Sequence, residues 1–213
     1  MGVCRCLVVT IVAALAVGAQ AAPRAAAAPS SPGSRTSADS AALARMVQLA
    51  ESKIGTVSLG RNSDKGGFID TQVEAPFGFH GKSWCAMFVS WAARTAGVRF
   101  YSAKEIGRGV RPYMLYGASV ADIYNWARNA GLARGRTYRA QAGDLAIFGA
   151  PNLHDRYDHV GIVVAPASGG VVRVVAGNNG NPRPGGRNGV FETADRTSSK
   201  ALVAYVALSA AYG

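Results

Sequence analysis

The chain has 213 residues, enough for one domain with a full core plus extra segments. Its 49% hydrophobic content excludes wholesale disorder, and 23 basic against 12 acidic residues give a formal charge of +11 that draws polyanions. The basic residues are scattered, densest among Arg108, Arg111, Arg128, Arg134, Arg136 and Arg139. No basic heptad, zinc-finger spacing or RNP-like aromatic motif goes with them, so acidic cell-envelope polymers and not nucleic acid are the expected partners.

The chain opens with Arg5, an apolar run from Leu7 to Val17 broken only by Thr10, and the small-x-small site Ala19-Gln20-Ala21. This pattern predicts a secretory signal peptide over residues 1–21, too short in its apolar run to span a bilayer. Cys4 and Cys6 precede the run, which argues against a lipid anchor and for a secreted protein, extracellular or wall-associated, with no stable membrane insertion. Residues 22–38 are rich in Ala, Pro and Ser and read as a flexible linker. Residues 39–213 are then the folded domain, expected as a monomer.

Within it, Leu43, Met46, Val47, Leu49 and Ala50 give a helical stripe from about Asp39 or Ser40 to Lys53. Glycines at 55, 60, 66, 67, 78 and 81, with Pro76, make 54–82 mainly loop and turn. Asn62 to Gly67 resembles the start of a calcium loop, but the twelfth position is Val73 where a bidentate glutamate belongs, so it reads as an ordinary turn. From Ser83 to Gly97 the residues Trp84, Met87, Phe88, Trp91, Ala92 and Thr95 recur at helical steps. Ser83 is the expected N-cap and Gly97 the left-handed stop, with Trp84 and Trp91 as core and not sugar platforms. Residues 98–117 read as irregular and basic. Ser119 to Ala130 forms a further helix with Val120, Ile123, Tyr124 and Ala127 inward, and Gln141 to Asp144 turns the chain. Strand periodicity follows at 145–148, 159–164, 171–175, 189–193 and 202–208. Helices first and short strands later predict an α+β fold with N-terminal helices packed on a C-terminal antiparallel sheet.

Loss of residues 1–21 leaves Cys85 as the only cysteine, unable to form an internal disulfide. It falls in the first turn of its helix, where free N–H groups and the helix dipole favour thiolate and predict a lowered pKa. The alternative is a buried cysteine that only fills space. A nucleophilic thiol needs a base, and the histidines are His80, His154 and His159. His159 opens an apolar strand that would hold its ring rigidly, whereas His80 and His154 lie in loops. The next strand ends in Gly177-Asn178-Asn179-Gly180, where Asn178, or Asn179 in reserve, could fix the imidazole tautomer, unless both only form a left-handed turn.

Four blocks, Ser83-Trp84-Cys85-Ala86-Met87-Phe88-Val89-Ser90-Trp91, Ala142-Gly143-Asp144-Leu145-Ala146-Ile147-Phe148, Asp158-His159-Val160-Gly161-Ile162-Val163 and Ala176-Gly177-Asn178, resemble the CHAP family of cysteine amidohydrolases and peptidases. These domains are relatives of the NlpC-type cell-wall peptidases. The resemblance covers roughly Asp39 to the C-terminus and implies a papain-like fold and cleavage of peptidoglycan amide bonds through a thioester. Cys85 would be the nucleophile, His159 the base and Asn178 the orienting residue. Many CHAP domains have Glu-Gly-Asn where this chain has Ala176-Gly177-Asn178, so any role of that glutamate is missing. Neither a cofactor nor a metal is expected. Three other readings compete: a noncatalytic wall-binding domain, a secreted cysteine peptidase or toxin with a non-wall substrate, and a zinc site of Cys85 and His159 with His154 or His80. The last lacks paired ligand spacing.

Overall fold

A computed structural model describes residues 32–60, 62–98, 118–149, 157–180 and 186–211, with side chains from residue 38 onward. Helix α1 spans Pro32–Glu51. It therefore begins at Pro32 and not near Asp39, so the end of the expected linker is helical, with proline at a first-turn position where its missing N–H costs nothing. Leu43, Met46, Val47 and Ala50 form its buried stripe. The segment expected as loop contains two short helices, a π turn at Ile69–Glu74 and a 3-10 turn at Ala75–Phe77. Ile69 and Val73 are buried there, apolar positions whose glycine-rich surroundings hid the helical spacing.

Helix α2 spans Cys85–Ala96, and the N-cap is Trp84 without a side-chain hydrogen bond, not Ser83. Gly97 closes it as expected in the left-handed conformation, φ 77°, donating its N–H to the carbonyls of Ala93 and Arg94. Helix α3 spans Val120–Asn129, capped by Ser119, whose Oγ accepts the N–H of Asp122 at 3.1 Å. Val120, Ile123 and Ala127 are buried, while Tyr124 is half-buried and stacks near Tyr157 with ring centroids 4.1 Å apart.

Among the described residues six strands form one sheet: β1 (Ala133–Arg134), β2 (Leu145–Gly149), β3 (Tyr157–Ser168), β4 (Val171–Asn179), β5 (Gly189–Arg196) and β6 (Leu202–Val206). Their order is β1-β6-β2-β3-β4-β5 and every pairing is antiparallel. The expected α+β arrangement holds, with the helices mostly N-terminal and the sheet C-terminal. The two-residue strand β1 was not foreseen, being too short for any period to show.

Alternation along the strands sends side chains to two different layers. Leu145, Ile147, Val160, Ile162 and Val175 join the helices in one cluster, with Trp84, Phe88 and Trp91 at its centre. Ala146, Val163, Val172, Val174, Leu202 and Tyr205 form a second cluster on the other face. Asp144, fully buried, ties the chain end to the sheet: its carboxylate accepts the N–H groups of Gln141 and Ser209, each at 2.8 Å. It does more than turn the chain.

α2 lies close on β4 because residue 177 has no side chain. A Cβ there would press into the Trp84 ring and come within 2.6 Å of the Phe88 Cβ. Gly177→Ala should therefore push the start of α2 off the sheet and cost about 1–3 kcal/mol. Thermal denaturation should show a Tm lowered by roughly 3–10 °C. A Tm equal to that of the wild type would mean that α2 does not depend on this contact.

Candidate active site

Cys85 is the first residue of α2 and is 4% exposed. The β2–β3 ladder is continuous from Leu145↔Ile162 to Phe148↔His159, and Val163 exchanges both its bonds with the β2 side. Alternation then turns the carbonyl of Asp158 and the N–H of Val160 away from β2. The β3–β4 ladder begins at Ile162↔Val175, so this stretch of β3 edge lies ahead of it. The thiol fits there. Its Sγ lies 3.9 Å from the Asp158 carbonyl oxygen, and the N–H groups of Val160, Ala86 and Cys85 itself face the sulfur. The sulfur thus touches the backbone on both sides of His159.

The electrostatics correct the expectation of an acidic thiol. Burial is the largest influence and pushes the Cys85 pKa above its ordinary value, outweighing the three N–H groups that favour the thiolate, while Asp158 adds repulsion. Burial likewise pushes His159 below its ordinary value, opposed by the charge of Asp195. Both shifts favour the neutral forms. The resting pair is thiol and imidazole, not thiolate and imidazolium, and the S–H donates weakly to Asp158.

His159 sits opposite Phe148, their rings 6.2 Å apart, on the face of the second cluster. Its Nε2 is buried and has no hydrogen-bond partner. Asn178, the last residue but one of β4, has φ 53°, the left-handed conformation that its residue type also allowed. Its Oδ1 accepts from the Nδ2 of Asn188 at 3.3 Å. Among the described residues it makes no hydrogen bond to His159, and neither does Cys85. Ala176 is buried next to Gly161, two residues along from His159 on the same face.

His80 is exposed on the loop ahead of α2 and acts on Asp70. His154 lies outside the described residues. In the turn read as a failed calcium loop, the Asp64 carboxylate accepts the N–H groups of Ile69 and Asp70, and Asp70 accepts from Ser63 and Gly66. These carboxylates shape the turn. Sequence reasoning missed Glu74, fully buried, whose two oxygens accept the N–H groups of Gly81 and Lys82 at 2.7 and 2.8 Å. That bond fixes the loop delivering Cys85, and an isolated glutamate among glycines carries no signal of it. Asn188 was missed for the same reason, its partner being ten residues away in sequence.

No curated protein matches the chain. Among solved structures, the crystal structure of Ly7917 is similar at 19% identity and a TM-score of 0.38, over 76% of this chain and 61% of that one. The chain thus spans less than two thirds of that structure's length. The family of CHAP domains matches residues 77–178. That segment runs from the 3-10 turn ahead of α2 to the end of β4 and includes Cys85, His159 and Asn178. The chain carries a CHAP domain, with its family-matching segment at residues 77–178.

Proposed function

We propose that the protein is a secreted cysteine hydrolase that cleaves amide bonds of bacterial peptidoglycan. CHAP domains are in general cysteine- and histidine-dependent amidohydrolases, which supports the reaction class. The single observation that carries the reading is the thiol of Cys85 held against the backbone on either side of His159. The apolar N-terminal run and small-x-small site support export, and the charge of +11 supports retention on anionic envelope polymers.

The chemistry runs from a neutral pair. As the sulfur attacks the scissile carbonyl, the thiol proton passes to the imidazole of His159. The C–S bond forms and the carbonyl π pair moves to oxygen, where free N–H groups at the start of α2 meet the negative charge. The imidazolium then protonates the leaving amine as the C–N bond breaks, giving a thioester. Water, deprotonated by the neutral imidazole, attacks the thioester and releases the acid and the thiol. In the ground state Asn178 orients Asn188, and in this reading it turns to the imidazole when substrate fills the site.

A noncatalytic wall-binding role draws on two observations: Ala176 offers no acceptor, and His159 Nε2 has no partner. Purified peptidoglycan separates the two readings. Wild type should release new amino and carboxyl termini, while Cys85→Ala should lower the rate at least about 1000-fold with unchanged wall binding. Equal release by both proteins would exclude thiol catalysis.

The neutral resting pair makes its own prediction. Thiolate absorbance at 240 nm should rise with a midpoint above pH 9.0, the ordinary thiol value, because burial penalises the anion. The acid limb of kcat/KM should have its midpoint below pH 6.5, because burial lowers His159 and the base must be unprotonated to act. A thiolate midpoint below 7 would instead mean a preformed ion pair and a different first step.

A further inference from the structure

Asn178 sits where β4 departs from regular pairing. The β4–β5 register shifts between Ala176↔Phe191 and Asn179↔Gly189, so β4 carries one extra residue there. A bulge of this kind re-aims a side chain, and Asn178 is the residue held at φ 53°. Counting back along β3 and β4 from Ile162↔Val175 puts Gly161 opposite Ala176 and His159 opposite Asn178. The first of these steps is met in space, since a Cβ on Gly161 would lie 3.0 Å from the Ala176 Cβ. Beyond it the paired ladder stops, and the Cys85 sulfur takes the Asp158 carbonyl and the Val160 N–H. His159 and Asn178 therefore flank that opening, with no hydrogen bond between them.

One neighbour holds the Asn178 side chain: Asn188 Nδ2 donates to Asn178 Oδ1 at 3.3 Å. Asn188 is itself anchored by a third segment, residues 55–58, which lies along the start of β5. The N–H and the hydroxyl of buried Ser58 both donate to the Asn188 carbonyl, at 2.8 and 3.0 Å. Val57 bridges Gly189, the Gly55 N–H donates to the Val190 carbonyl and the Val190 N–H to that of Thr56. A Cβ at Gly189 would press into the Thr56 carbonyl, so the two segments meet backbone to backbone. The Asn188 donor thus projects from a fixed main chain. An asparagine amide is nearly symmetric in shape, and only its partners decide which end presents oxygen. Oδ1 has two lone pairs, so the oxygen that accepts from Asn188 keeps one for a ring N–H. Nε2 of His159 is the ring nitrogen left without a partner.

We propose that Asn188 is a positioning residue for Asn178: its amide donor fixes the sense of the Asn178 amide, so that oxygen and not nitrogen is offered to His159 Nε2. This inference rests on the reading of Cys85, His159 and Asn178 as the catalytic set. With oxygen offered, the neutral imidazole carries its proton on Nε2 and leaves the Nδ1 lone pair for the thiol proton. With nitrogen offered, the proton moves to Nδ1 and the base is blocked. Asn188 lies outside residues 77–178, so the family-matching segment does not contain the residue that sets its own last member.

The test reads the His159 tautomer by NMR, from the nitrogen chemical shifts of its ring in isotope-labelled full chain at a pH where the imidazole is neutral. The chain carries Cys85→Ala, which removes proton exchange with the thiol, and should show the proton on Nε2. Asn188→Asp keeps the shape but replaces the donor by an acceptor, which draws the Asn178 Nδ2 and reverses the amide. The proton should then move to Nδ1. Asn188→Ala, at an exposed position whose backbone bonds do not need the side chain, should give a mixture of the two tautomers. In the active chain Asn188→Asp should lower kcat by roughly 100-fold with little change in KM. Asn178→Ala is the control and should also release the tautomer. An unchanged tautomer in both Asn188 variants, while Asn178→Ala shifts it, overturns this proposal and leaves the orienting role of Asn178 standing. No shift in any of these variants overturns both. The tautomer is read without hydrolysis, so an inactive wild type with the expected shifts overturns the hydrolase reading and supports the hold of Asn188 on Asn178.

Discussion

Everything at the site hangs on the docking of one helix end against an unfinished strand edge. β3 leaves the Asp158 carbonyl and the Val160 N–H ahead of the ladder with β4, and the first residue of α2 fills that place with sulfur. The fit requires Trp84 and Phe88 to sit directly on the backbone of β4, which only a glycine at 177 permits. It also requires the preceding loop to arrive at a fixed height, and Glu74 sets that by holding the N–H groups of Gly81 and Lys82. The hydrophobic core and the site are therefore one construction. The aromatic residues that bury α2 also set the position of the thiol at its tip.

That construction has an electrostatic consequence. A helix N-terminus offers about half a unit of positive charge, spread over several N–H groups. Removing a sulfur from water costs more when the anion gains no full counter-charge. Cys85 sits where the second effect wins, and the same burial holds His159 neutral. A thiol kept neutral resists oxidation, since reactivity follows the thiolate fraction.

The opposite face of the sheet takes up what the helix side cannot supply. His159 faces the second cluster, among small residues and buried polar atoms without partners. Alanine at 176 offers no side-chain acceptor on that face.

The sequence alone determined the α+β class, the helix carrying Cys85, its glycine stop, the buried role of Trp84 and Trp91, and the strands that carry His159 and Asn178. Each of these follows from local period, capping or composition, which act over a few residues. It also carried the four blocks of family resemblance. What only the tertiary structure decided depends on residues far apart in the chain. The neutral state of the thiol follows from burial by strands some 70 residues on, which reverses what the helix end alone predicts. The bond from Asn188 to Asn178 and the hold of Glu74 on the entry loop join separate segments, and no spacing within one element encodes them.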